Sequence, residues 1–153
     1  MVREKNAELA KLAYGSNFEQ VAAAPVTIAL FTDTDLAKRA RKIARVGGAK
    51  NFSEEQLQYF MKNLPAEFAR YNEQQVSDYL ALNAGLVAMN LVLALTDQGI
   101  GSNIILGFDK SKANEVLEIE ERFRPELLIT VGYTDEKLEP SYRLPVDEII
   151  EKR

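Results

Sequence analysis

Residues 79–109 read YLALNAGLVAMNLVLALTDQGIGSNIILGFD, and no other stretch restricts the fold as tightly. The pattern predicts a helix over 73–97 whose apolar residues surround it almost completely. It then breaks at Gly99-Ile100-Gly101 and continues as a short apolar run, 102–106, that ends at Gly107. A helix without a substantial polar face has to be covered, so the rest of the chain is expected to pack around it. Lipid is the other possible cover. However, the most apolar part, 84–95, is about half the roughly 20 residues that a bilayer span needs, and Asn83, Asn90 and Asp97 interrupt or bound it. The expectation is a buried helix in a soluble domain, with no membrane partner.

Such a helix needs a core around it, and 153 residues at 46% hydrophobic content suffice for one domain. A net charge of -4 argues against broad attraction to nucleic acid or anionic membranes, leaving small molecules or proteins as partners. The chain has no Cys and no His. That removes disulfides, thiolate metal sites and imidazole acid–base chemistry, so any redox reaction would need a borrowed cofactor. The charged N-terminus lacks the form of a signal peptide, which makes the cytoplasm the expected location.

In chain order, 4–14 reads as a short amphipathic helix stopped by Gly15. Pro25 opens a buried strand, VTIALFTD. Asp33 and Asp35 can cap a helix over 36–46 that Gly47-Gly48 should end, with Leu36, Ala40 and Ile43 on its apolar side. Lys38, Arg41, Lys42 and Arg45 share its other side. A phosphate or RNA site is conceivable there, but in an acidic chain a solvated face is the better reading, and no site is assigned. Ser53-Glu54-Glu55-Gln56 has the form of a capping box opening a helix to about Arg70, which Pro65 should kink or split. Asn72 and Gln75 repeat that logic for the central helix. Asp109 should cap a small helix over 110–117. PELLITVGY, 125–133, is the second clear strand, apolar enough to be buried on both faces. The remainder, 134–153, reads as an extended C-terminal arm whose adhesive residues are Val146, Ile149 and Ile150. The expected fold is α+β, one domain over 1–153, with a small mixed sheet wrapped by helices around the long helix.

Familiar catalytic signatures are missing: no GxGxxG, Walker or GxSxG sequence, and no acidic cluster with metal spacing. Glu118, Glu120 and Glu121 read as a solvated charge run. No catalytic side chain and no metal site are assigned. What the residues offer is a backbone-lined cleft after a buried helix.

Several pieces in register then resemble the FMN-dependent nitroreductase family. They are Ala24-Pro25-Val26-Thr27-Ile28, NAGLVAMNLVLA at 83–94, Gly99-Ile100-Gly101-Ser102, Ile105-Leu106-Gly107-Phe108-Asp109, Val131-Gly132-Tyr133 and Tyr142-Arg143-Leu144-Pro145. The resemblance implies a homodimeric flavoenzyme in which NAD(P)H reduces FMN and the flavin reduces a nitroaromatic, quinone or similar small-molecule acceptor. It places Ile104, Ile105, Leu106 and Gly107 beside the isoalloxazine ring, with main-chain N–H groups near its reactive edge, and Arg143 on the flavin phosphate, a role that suits guanidinium. Without the resemblance, Gly107 reads as a turn glycine and Arg143 as a surface charge. The chain departs from the family in lacking an N-terminal Arg-rich phosphate clamp and a Ser/Asn/Gln-Pro-Trp segment, and in having Ser141 where relatives often carry Lys. Weak FMN binding and impaired activity are therefore expected of this form. A second reading is a non-catalytic dimerisation or binding module that keeps the core without the flavin, purifying as a colourless dimer.

Overall fold

In the computed structural model, the two apolar strands expected from the sequence pair with each other; backbone is described for 3–135 and 142–151, and side chains for 6–46, 52–135 and 142–151. The elements in chain order are α1 (Arg3–Leu12), α2 (Asn17–Ala23), β1 (Val26–Asp33), α3 (Leu36–Asn51), α4 (Glu54–Phe68), α5 (Glu73–Asp97) and β2 (Gly101–Ile105). A 3-10 turn, Lys110–Lys112, then leads into α6 (Ala113–Leu117), followed by β3 (Phe123–Gly132) and α7 (Val146–Ile149).

β3 is the middle strand of three, in the order β1-β3-β2, and runs antiparallel to both neighbours. The expected mixed sheet is thus an antiparallel one, because β1 and β2 run the same way and β3 returns between them. β3 reads as continuously apolar because residues 126–130 are buried, and the side-chain alternation then separates two packing layers. Leu127 and Ile129, with Ile28, Leu30 and Val131 beside them, meet Ala88, Leu91 and Val92 of α5. Leu128 lies on the other face with Ile105, Phe108, Val21, Ala113 and the Leu9, Ala10, Leu12, Ala13 stripe of α1.

α5 occupies the predicted span, and its Asn72/Gln75 capping box is formed, as is the one at Ser53/Gln56. Its surroundings differ from expectation. Leu80, Ala84 and Ala88 make one buried i, i+4 stripe, while Leu82, Leu86, Val87, Met89 and Leu93 are exposed. The described residues wrap this helix only in part: the sheet covers one stripe, and the Phe68 and Tyr71 rings meet Tyr79 near its start. By length and composition α5 is also apolar enough to cross a membrane, so the shortness of 84–95 does not decide that question. One side of α5 nonetheless lies on the sheet, and Arg124 of β3 donates to the Oγ and carbonyl oxygen of Ser77 at 2.8 and 3.1 Å.

Other boundaries moved for identifiable reasons. α2 was not foreseen. α3 passes through Gly47-Gly48 to Asn51 because it packs along α4, and tertiary contact outweighs the roughly 1 kcal/mol helix penalty of each glycine. Its buried stripe is Leu36, Ala40 and Ala44, leaving Ile43 exposed. Pro65 sits inside α4 without splitting it. Lys38, Arg41, Lys42 and Arg45 are all exposed, consistent with a solvated face.

Candidate functional site

The end of β2 and the turn after it are built from both sides. Ile105 is 2% exposed and anchors the segment in the core, while its neighbours Ile104 and Leu106 are 38% and 65% exposed. Pairing of 101–105 with β3 fixes one edge of β2, and among the described residues no other strand borders the opposite edge. Beyond the strand, a short antiparallel bridge joins Ala13 to Phe108. Tyr14 N–H donates to the Gly107 carbonyl at 2.9 Å, and Asp109 N–H donates to the Leu12 carbonyl at 2.8 Å. Phe108, buried between them, locks this return against α1.

Gly107 is the tightest point. Asn17 Nδ2 donates to its carbonyl at 3.1 Å, and a Cβ built on Gly107 would lie 2.8 Å from that nitrogen. The space that the glycine leaves for a close approach is therefore used by Asn17 of the same chain. The carbonyl takes two donors, whereas the Gly107 N–H has no acceptor among the described residues. The turn is thus held rigidly through its acceptor and keeps its donor.

Asp109 supports the same corner. Its carboxylate accepts from Ser111 Oγ and N–H at 2.6 and 3.0 Å, capping the following helical turn as expected. The hydroxyl bond lowers its pKa, burial works to raise it, and the Ser111 N–H and Lys112 charge lower it again, leaving it below the usual carboxylate range.

Arg143 lies on the C-terminal segment 142–151, and its Nη1 donates to the Tyr142 carbonyl at 2.9 Å. No described contact joins it to 104–107. Four of the five expected site residues are consequently one continuous corner, and the fifth stands apart from them. Leu144, Val146, Ile149 and Ile150 of the same segment are exposed, so the adhesive residues of the C-terminal arm are left largely uncovered by the described residues. Ser141 and the rest of 136–141 lie outside the described residues.

Sequence reasoning passed over Asn17 and Tyr14. Neither belongs to a motif, and the bonds from Asn17 and Tyr14 to Gly107 span about ninety positions of chain. A Gly15-Ser16-Asn17 turn after a helix carries no signal that its amide reaches the far strand.

The arrangement offers a fixed main-chain donor flanked by exposed apolar side chains, a surface suited to a planar ligand with acceptor atoms on its edge. Comparison with known proteins identifies relatives of the chain as a whole. The Nitroreductase family model matches residues 2–133. A Streptococcus pyogenes protein named "Putative NAD(P)H nitroreductase Spy0809" is 63% identical over 153 residues, which is 100% of this chain and 76% of that protein. Among solved structures, a nitroreductase family protein from Streptococcus pneumoniae TIGR4 is 96% identical with a TM-score of 0.93, covering 99% of this chain and 76% of that one. An Exiguobacterium sibiricum 255-15 protein named "putative nitroreductase", solved in complex with FMN, shares the fold at 24% identity and a TM-score of 0.85, over 99% of this chain and 71% of that one.

Proposed function

The chain belongs to the nitroreductase family, and on that premise we propose that it is an FMN-dependent oxidoreductase passing electrons from NAD(P)H to a nitroaromatic, quinone or similar small-molecule acceptor in the cytoplasm. The observation that carries this reading is Gly107: a backbone turn pinned by two hydrogen bonds on its carbonyl, with its N–H left over, next to the exposed Leu106. A main-chain donor of this kind suits an acceptor atom on the isoalloxazine edge, and it asks nothing of His or Cys. Ile104 and Leu106 would flank the ring with apolar surface, Ile105 would keep the strand seated, and Arg143 would take the phosphate. When bound, FMN would supply the two-electron redox chemistry that no side chain here can. The protein's own work is to hold the ring, expose one face and exclude water from it.

Association as a homodimer belongs to the same proposal. It is supported by the exposed apolar residues of α5 and by the uncovered Val146, Ile149 and Ile150 of the arm. Together they make an apolar surface that monomers rarely leave to water.

The test is NAD(P)H oxidation by the purified chain with FMN in excess and a quinone or nitroaromatic acceptor. Acceptor-dependent turnover that saturates with FMN is expected. A colourless dimer with no turnover above free flavin would instead favour the non-catalytic module.

A further inference from the structure

Where β1 meets the start of β3 the register slips: Leu30 faces Leu127 and Phe31 faces Pro125, which leaves Glu126 as the extra residue of a β-bulge. A bulge re-aims the side chain it carries. Here it gathers Glu126, Arg124 and Thr32 where Arg124 reaches Ser77 of α5. The Glu126 carboxylate is buried, 8% exposed, and its two oxygens are used unequally. Oε1 accepts from Thr32 Oγ1 at 2.6 Å and from Arg124 Nε and Nη2 at 2.8 and 2.7 Å. Oε2 has no donor among the described residues, and it is not sealed in, because Glu126 lines an open cleft of about 530 Å³ between the bulge, α5 and the 3-10 turn. That volume suits a small ligand.

The lining selects the chemistry of such a ligand. Arg124 spends its donors on Glu126 and on the hydroxyl and carbonyl of Ser77, so the spare polar atom is an acceptor and the ligand has to bring the donor. Lys110 and Arg124 flank the one carboxylate. Two cations beside one anion disfavour a metal ion or an ammonium group, and the spare carboxylate oxygen disfavours an anion. A neutral molecule remains. Ala81 and Pro125 offer it apolar wall, and the cations favour the face of an aromatic ring.

We propose that this cleft binds a neutral aromatic ring carrying an O–H or N–H group, a phenol or an aromatic amine, which donates to Glu126 Oε2. Resting on the reaction proposed above, hydroquinones and aromatic amines are its reduced products, whereas quinones and nitroarenes carry acceptors only. The site therefore takes product in preference to substrate. None of residues 104–107 lines it.

The test is an amide NMR titration of the isotope-labelled chain without FMN, using phenol against anisole, its methyl ether, and aniline against nitrobenzene. Saturable shifts at 77–81 and 124–126 are expected with phenol and aniline, and binding of anisole and nitrobenzene should be weaker by about tenfold or more. In Glu126→Gln the amide oxygen takes the donors of Thr32 and Arg124 and turns the amide N–H group into the cleft, so nitrobenzene should now bind better than aniline. Ala81→Phe should fill the cleft and abolish the shifts from every probe. Equal binding of phenol and anisole, no saturable shifts at these positions, or an unchanged order in Glu126→Gln would overturn the site. With no flavin present, failure here leaves the FMN assignment standing, and failure of turnover removes only the description of these ligands as products.

Discussion

At the scale of single residues, two glycines look alike in sequence and differ in what an added methyl group would strike. At Gly132 a Cβ would sit 2.8 Å from Pro25 Cδ and 3.0 Å from its Cγ, atoms of a ring that cannot rotate away. Gly132→Ala should cost about 1–3 kcal/mol, read as a lower denaturant midpoint at unchanged slope. At Gly107 the obstacle is the end of the Asn17 side chain, which can move at the expense of its hydrogen bond. Gly107→Ala should cost less, about 0.5–1.5 kcal/mol, but should weaken FMN binding because the turn is no longer held. Asp33 makes the pH prediction. Burial works to raise its pKa, and the Arg39 bond, the Asp35 N–H and the charges of Arg122 and Arg39 overcome that, placing it below its ordinary 3.8. Its contribution to stability is therefore complete above the unfolded value near 3.8 and disappears as pH falls through the lower folded value. In acid titrations Asp33→Asn should flatten this part of the stability curve, and an unchanged curve would count against the pairing.

At the scale of elements, what could be read from the sequence was what local chemistry decides. Asn72 and Gln75 bond reciprocally to each other's main chain, so the start of α5 was legible from four residues. Asn72→Ala should cost about 1 kcal/mol, measurable by thermal melting. The extent of α3 was not legible, since two glycines signal an end and only the partner helix overrules them. α2 was hidden because seven residues rich in Ala carry little periodicity. Within the site, Ile104 to Gly107 could be located by resemblance alone, and the reason Gly107 must be glycine became visible only when Asn17 met it. The central helix taught the largest correction. Apolarity around its whole circumference is real, but only one stripe of it serves this chain's own core. Leu86→Lys on the exposed side should leave the monomer's fold and helix content intact while shifting sedimentation from dimer to monomer. Loss of the fold itself would mean that this face is needed internally.

At the scale of the whole molecule, a thin three-stranded sheet carries one well-packed layer of α1, α2 and α6, one partly covered long helix, the α3–α4 pair and an exposed C-terminal segment. Uncovered apolar surface on α5 and on the C-terminal segment, beside a rigid backbone corner, is what the proposed association and cofactor would cover. The central claim is that the corner at Gly107 receives FMN, and amide exchange at 106–108 with and without excess FMN tests it most directly. The Gly107 N–H, lacking an acceptor among the described residues, should exchange rapidly in the free chain and slow by about tenfold or more when FMN is added. Unchanged exchange at Gly107 with FMN in excess, or protection confined to other parts of the chain, would contradict the account.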